Sequence, residues 1–276
     1  MSTPKHHVII IGGGAAGMLA AISARRKGSR VTILERNPRI GKKILATGNG
    51  RCNFANVNTD INCYHGNNPP FARQALTAFS VRETMDFFAK LGVTPKVEDQ
   101  GKVFPMSDQA SSVLDVLRYE LDITGVQIIC DAYVEKIVRG KNRLFQVQLA
   151  NQETLEGNRV IIATGGKAMP STGSDGNGYN LARQLGHSIT GIFPSLVQIK
   201  LEGKFFHQIQ GVKLVGTAEI LEGNTPVAKD RGDILFANYG VSGPPILQIS
   251  RKAGELLQEN KEAILKIVLI DTIPKD

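Results

Sequence analysis

Tryptophan is absent from this chain, aromatic residues make up 6% of it, and cysteine occurs three times in 276 residues. Each shortage excludes something. Few aromatics and no Trp give little support to a surface on which nucleic-acid bases stack. Cys52, Cys63 and Cys130 form no C-x-x-C pair and have no metal-ligand spacing with histidine, so no metal site is expected. An odd, scattered set of thiols argues against a disulfide framework and fits a reducing, cytoplasmic compartment. No stretch approaches the roughly 18 uninterrupted apolar residues of a membrane span. An apolar run does follow a Lys and two His near the N-terminus, as in a signal peptide. Gly12 to Gly14 interrupt it, however, and Arg25, Arg26 and Lys27 end it. There is no internal repeat and no low-complexity tract.

What is present is the composition of a soluble globular protein, 42% hydrophobic and 21% charged, long enough for one large domain or two ordinary ones. The net charge of +8 permits contact with nucleic acid or a membrane surface. No run of cations exceeds three, and many lie beside the phosphate site argued next or on solvated helix faces. The expectation is therefore no nucleic-acid partner and no membrane.

Residues 8–35 organise the rest. Residues 8–11 are a short apolar, β-branched run suited to a buried parallel strand. Gly12, Gly14 and Gly17 follow in G-x-G-x-x-G register: one for a tight turn, one for close approach to a pyrophosphate, one for helix–strand packing. Residues 15–27 read as a helix, with Ala16, Ala20, Ala21 and Ala24 against the sheet and its N-terminal N–H groups aimed at phosphate. Residues 31–34 read as the second strand. Glu35 stands at its end, where a carboxylate accepts hydrogen bonds from an adenosine ribose and repels a 2′-phosphate. Strand, turn, helix, strand and acid fall in the order that an adenine-dinucleotide site requires.

The next stretch, residues 36–56, is too rich in Gly, Asn and cations for a core element. Gly41, Gly48 and Gly50 let backbone lie flat against a ligand. Arg36 follows the acid directly, Lys42, Lys43 and Arg51 can neutralise phosphate, and Asn49 and Asn53 can bond a polar ring edge. Cys52, with no second cysteine near it, reads as a small packed residue rather than a redox partner.

Residues 72–79 and 81–91 read as helices, with Met85, Phe87, Phe88 and Leu91 as core positions. Residues 96–106 read as a hairpin turning at 99–101. Residues 107–124 read as an amphipathic helix with Ser107 or Asp108 as cap and Val113, Leu114, Leu117 and Leu121 inward. Residues 127–130 supply a third parallel strand, and 133–138, 144–149 and 154–155 an antiparallel meander. The sheet resumes at 159–163 and runs into Thr164, Gly165 and Gly166. A second glycine cluster at 174–178 opens a short helix over 179–185. It lacks the flanking strands of an independent fingerprint and belongs to the same cofactor site. From about Phe193 the chain reads as antiparallel strands at 196–201, 212–221 and 234–236, separated at 222–224 and 230–232. A Ser-Gly-Pro turn then leads into a helix capped by Ser242.

Three segments, GGGAAGMLAA, KKILATGNGRCN and VIIATGGKAMPSTGSDGNGYNLA, together resemble one family. It is the bacterial NAD(P)/FAD-dependent flavoprotein family of aminoacetone oxidase-like and 3-dehydro-bile-acid reductase-like oxidoreductases. The likeness runs through LFANYGVSGPPILQIS to nearly the end of the chain. It implies an α/β fold, a glutathione-reductase-type Rossmann FAD-binding domain over residues 1–192, with a mainly antiparallel β inserted domain from 193 to 276. It implies FAD pyrophosphate at Gly12, Gly14, Ala15, Ala16 and Gly17, and ribose at Glu35 beside Arg36. It places the flavin and its phosphate tail beside Lys43 and Gly48, Asn49, Gly50, Arg51, Cys52 and Asn53. Adenine falls near Val134, with further contact from Ala163, Thr164, Gly165 and Gly166.

Two departures stand out. Family members continue past the inserted domain and return to the FAD domain, whereas this chain stops at Asp276 on a strand-like KIVLIDTIPKD. That predicts an incomplete flavin pocket, weak FAD retention and a tendency to associate. Relatives also commonly carry Thr-His where Ala237 and Asn238 stand. The expected function is an FAD-dependent oxidoreductase acting on a small organic substrate. NAD(P)H would serve as a transient electron donor, or O2 as acceptor, and the catalytic residues are open. The alternatives are an RNA-modifying flavoprotein acting on tRNA and a catalytically silent FAD-binding fragment.

Overall fold

The computed structural model describes residues 6–270, apart from the side chains of Lys141 and Lys204. The chain divides into two compact units, Met1–Ile189 and Thr190–Asp276.

The first unit begins with β1 (His7–Ile11), α1 (Ala15–Arg26) and β2 (Arg30–Leu34). Then come β3 (Ala55–Asn56), α2 (Arg73–Ala78), α3 (Val81–Lys90), β4 (Pro95–Val97), β5 (Lys102–Pro105), α4 (Ala110–Ile123) and β6 (Gln127–Ile129). It ends with β7 (Val134–Arg139), β8 (Phe145–Leu149), β9 (Thr154–Gly157), β10 (Arg159–Ile162) and α5 (Asn177–Gln184). A four-stranded sheet in the order β10-β1-β2-β6 is parallel throughout.

Both faces of that sheet are covered at its centre, which is why residues 8–11 of β1 and 31–34 of β2 are buried and carry no charge. Successive side chains of a strand point to opposite faces. Val8, Ile10, Val31 and Ile33 accordingly join one core with Met18, Ala21 and Ile22 of α1 and Leu114, Leu117 and Leu121 of α4. Ile9, Ile11 and Leu34 join a second core with Val134, Ile137, Val147, Leu149 and Leu181, supplied by the β7-β8-β9 meander and α5. Met18 and Ile22 are at most 1% exposed, and each buried side chain of that size contributes about 2 kcal/mol.

The inward face of α1 is thus Gly17, Met18, Ala21 and Ile22 rather than the expected alanine stripe. Ala16 is exposed, and Ala20 and Ala24 are half-buried, because the close approach at Gly17 sets the helix's rotation. α3 begins with a capping box: Ser80 Oγ accepts the Glu83 N–H at 3.2 Å, and Glu83 accepts the Ser80 N–H at 2.7 Å. α4 starts three residues later than expected, at Ala110, and neither Ser107 nor Asp108 caps it. Ser107 Oγ bonds Ser112 Oγ instead, and Asp108 turns left-handed (φ 53°) to form ion pairs.

In the second unit, β11 (Ile199–Lys200), β12 (Lys213–Glu222), β13 (Thr225–Ala237), β14 (Gly240–Ser242) and β15 (Ile264–Val268) form one antiparallel sheet, order β11-β14-β13-β12-β15. α6 (Pro244–Gln258) covers one face through Ile246, Ile249, Ala253 and Leu256. β13 passes straight through residues 230–232, where a break was expected, because Gly232 pairs with Gly216 inside a continuous ladder. Ser242 belongs to β14. The cap position of α6 is Gly243, with Pro244 as the first helical residue, which suits its missing N–H. Of the strand expected at 196–201 only Ile199–Lys200 pairs, and Leu196 is left-handed (φ 58°). The strand-like reading of 266–276 extends over 271–276, which lie outside the described residues.

Candidate cofactor site

A cleft of about 640 Å³ opens at the carboxyl ends of β1, β2 and β10, within the size range of small-molecule and cofactor sites. The chain leaves β1 for β2 on one side and returns to β10 on the other. The cleft therefore sits where the strand order reverses, the usual ligand position in an open parallel sheet.

Its floor is the glycine turn. Gly12 is left-handed (φ 106°), and a Cβ there would lie 2.5 Å from the Ala163 carbonyl oxygen. Gly14 is the N-cap of α1, has no side-chain cap, and leaves open space where its Cβ would be. The first N–H groups of α1 therefore face the cleft without a protein side chain to satisfy them. Gly12, Gly14, Ala15 and Ala16 all line it. Gly17 lies beneath, where a Cβ would come 1.9 Å from the Gly12 carbonyl oxygen. Gly13, which the motif leaves free, is equally constrained: a Cβ would meet Ile40 at 2.4 Å.

Glu35 is 7% exposed and its carboxylate is engaged at both oxygens. Oε2 accepts the Gly13 N–H at 2.7 Å, and Oε1 accepts the Asn37 N–H at 2.8 Å and Asn37 Nδ2 at 2.7 Å. Arg36 stacks over Tyr133, 4.8 Å from the ring centroid, and pairs with Asp175 at 2.5 Å. That arginine holds the Asp175 carboxyl below its ordinary pKa. Lys42 and Lys43 donate at 2.7 Å to the carbonyls of Ser171 and Ala168. Neither has an acidic partner among the described residues, so both positive charges are available to an anion.

Val134 lines the opposite wall, its carbonyl accepting Asn177 Nδ2 at 3.0 Å. Ala163, Thr164 and Gly165 line it too, while Gly166 stands just outside, against the Tyr179 hydroxyl. Ser174, Asn177 and Gly178 from the second glycine cluster face the same cleft. The segment GNGRCN does not: the lining stops at Thr47, and Gly48, Asn49, Gly50, Arg51, Cys52 and Asn53 form the turn that follows it. Cys52 is buried, and that burial raises its thiol pKa. Sequence reasoning overlooked Asn37, Tyr133 and Thr47. Only Asn37 carried a local signal, a short amide two residues past the acid, where such side chains bond back to nearby groups.

A second groove of about 710 Å³ lies between residues 54–64 and helices α2 and α3. It is larger, but no glycine turn or uncapped helix start of eight residues or more faces it, so the first cleft is the better match for a dinucleotide. Among the described residues no cluster of His, Cys, Asp and Glu could hold a metal ion, and no helix is long and apolar enough to cross a membrane.

Residues 6–250 match the family described as the HI0933-like protein Rossmann domain. A 3-dehydro-bile acid delta(4,6)-reductase of Clostridium scindens is 44% identical over 91% of this chain and 61% of its own length. Ribosomal RNA dihydrouridine synthases of Escherichia coli and Haemophilus influenzae are 31% and 29% identical. They match over 89% and 94% of this chain and 61% and 70% of their own lengths. The chain thus spans about three-fifths of the reductase it resembles.

Proposed function

The chain belongs to the HI0933-like Rossmann-domain family, and we propose that it binds FAD in this cleft and reduces a polarised carbon–carbon double bond. The observation that carries the reading is the uncapped N-terminus of α1 at Gly14, opening onto a cleft that also holds Lys43 and the buried acid Glu35. These residues fit the group. A pyrophosphate meets the N–H groups at Gly14 to Ala16, with open space where Gly14 would carry a Cβ. Lys42 and Lys43 balance its charge. Glu35, with one lone-pair direction left on Oε2, accepts a ribose hydroxyl and disfavours a 2′-phosphate. Adenine lies along Val134, and the flavin end lies toward Ala163 to Gly166 and the turn from Gly48 to Asn53. Residues 1–192 are then the cofactor domain and 193–276 part of the substrate side.

Bound FAD supplies hydride transfer, and the protein supplies its position and electrostatics. Both kinds of relative are named for the same bond change, hydrogen added across a ring double bond conjugated to a carbonyl. Here NADH or NADPH provides the hydride, docking transiently since the described residues hold no second dinucleotide fold, and a solvent proton completes the addition. A small 3-oxo, 4,6-unsaturated ring acid is the first substrate class, on the 44% likeness to the reductase.

A second reading, a uracil ring in ribosomal RNA, is favoured by one observation on this chain. Nine of the 33 Lys and Arg but one of the 25 Asp and Glu fall in residues 1–50, so the remaining 24 and 24 cancel and the whole net charge sits there. Such a basic excess attracts phosphate backbone. Anaerobic reduction of the FAD-loaded protein, followed by mixing with a 4,6-dien-3-one acid or with ribosomal RNA, separates the two. The substrate restores the oxidised flavin bands; the other compound leaves them bleached. If neither restores them, the double-bond reading is wrong.

A further inference from the structure

We propose that Arg51 is a positioning residue: a closed ring of four charges around its guanidinium holds the strained turn 48–52, and through it the cleft residues Lys43 and Thr47. The inference rests on the FAD reading for its consequence, though not for its geometry.

The turn is unusual. Gly48 (φ 56°), Asn49 (φ 56°), Gly50 (φ 82°) and Cys52 (φ 62°) are all left-handed, and Arg51 alone among these five is right-handed. Asn49 and Cys52 carry a Cβ in that region, as do Gln100 (φ 62°) and Asp108 (φ 53°). These four lie on three segments: the turn, the link between β4 and β5, and the lead into α4. Backbone of this kind persists only where its surroundings over-determine it.

Arg51 joins all three segments. Its Nη1 and Nη2 grip the Glu98 carboxylate at 3.0 and 3.1 Å, and Nη1 also reaches Asp108 Oδ1 at 3.1 Å. Lys96 Nζ closes the ring, 2.9 Å from Glu98 Oε1 and 2.5 Å from Asp108 Oδ2. The guanidinium lies 3.9 Å from the centroid of the Phe104 ring. The same ring stands 3.0 Å from where a Cβ on Gly48 would be, so one aromatic backs both the charge and the turn. Separate ion pairs at this exposure would hold little. A two-pronged grip, a stacked face and a closed ring of alternating charge together fix an orientation, and only the planar arginine fork supplies them.

None of these partners lines the cleft. The effect passes along the backbone: the Cys52 N–H donates to the Thr47 carbonyl at 3.0 Å, and Thr47 Oγ1 donates to the Ile44 carbonyl at 2.7 Å. Lys43, Ile44 and Thr47 are the cleft wall.

Buried Cys52 reports on the turn without any cofactor. In a chain carrying Cys63→Ser and Cys130→Ser, Cys52 is the remaining thiol, and its rate of labelling by 5,5′-dithiobis(2-nitrobenzoate) measures opening. Arg51→Lys keeps the charge and loses the fork. We expect labelling at least tenfold faster, FAD binding at least tenfold weaker and a blurred 450 nm band, with the thermal midpoint little changed. Glu98→Gln should move all three the same way, and Arg82→Lys, at a remote exposed pair, none of them. Should Arg51→Lys not fold, Glu98→Gln decides by the same readouts. Wild-type labelling and FAD affinity in whichever variant decides would overturn the proposal. If the parent chain binds no FAD, the cofactor reading fails, while the labelling rate still decides whether the ring holds the turn.

Discussion

Gly13 donates its N–H to Glu35 Oε2 across 2.7 Å, so the middle residue of the glycine turn and the acid ending the second strand form one unit. With Asn37 on the other oxygen, the carboxylate holds the turn in shape before it meets any ligand. Glu35→Gln turns an amide NH2 toward one of these donors and leaves a buried N–H unmatched. The expected loss is about 2 kcal/mol of stability. It should be read as a lower urea midpoint without FAD, and FAD affinity should fall as well. A variant as stable as the parent would show that the carboxylate does not brace the turn.

Gly17→Ala tests the close packing below the turn. Its new methyl would lie 1.9 Å from the Gly12 carbonyl oxygen, which is backbone and cannot swing aside. Overpacking of this kind costs about 3 kcal/mol. Thermal unfolding should show it, whereas Gly14→Ala, with open space at that position, should fold normally.

How much of this was legible beforehand differs from element to element. The parallel sheet was readable because residues 8–11 and 31–34 of its two central strands are buried on both faces and carry no charge, and the glycine register named its own turn. The packing of Gly17 on the strand was readable from the glycine register, but the full rotation of α1 was not: Met18 and Ile22 turn inward with Ala21, while Ala16 is exposed. The continuity of β13 through residues 230–232 was hidden because Asp, Arg and Gly read as a turn until Gly216 is seen opposite. At the cleft, glycines and the acid were readable by local pattern. Tyr133 and Thr47 were not, because only the fold brings them there. GNGRCN was legible as special, yet its place one turn beyond the lining, with Arg51 facing acids from 98 and 108, depends on contacts distant in sequence.

Lys43 offers an electrostatic test. Among the described residues its ammonium bonds a neutral carbonyl and no carboxylate, so phosphate should gain from its charge. Lys43→Gln should weaken FAD binding about tenfold at low ionic strength and flatten the salt dependence, because screening then has one charge fewer to act on. Equal salt slopes in variant and parent would remove Lys43 from the phosphate site.

His7 predicts a pH dependence. Burial depresses its pKa below 6.5, with its Nδ1 donating to the Glu156 carbonyl at 2.8 Å. The unfolded chain therefore takes up this proton first on acidification. Stability from neutral His7 is fully present above pH 6.5 and is lost as pH falls from there through the depressed folded value. Urea midpoints of the parent and His7→Asn, compared between about pH 5 and 8, should converge toward acid. Parallel curves would place no linkage on this histidine.

The central claim is that the cleft at the ends of β1, β2 and β10 holds FAD. The most direct measurement is the visible absorption spectrum of the protein titrated with FAD after desalting, beside Gly14→Phe, which fills the space at the start of α1. The account predicts a saturable shift of the bands near about 370 and 450 nm for the parent, the sign of protein-held flavin even where retention is weak, and none for the variant. An equal shift in both, or a shift in neither under saturating FAD, would contradict it.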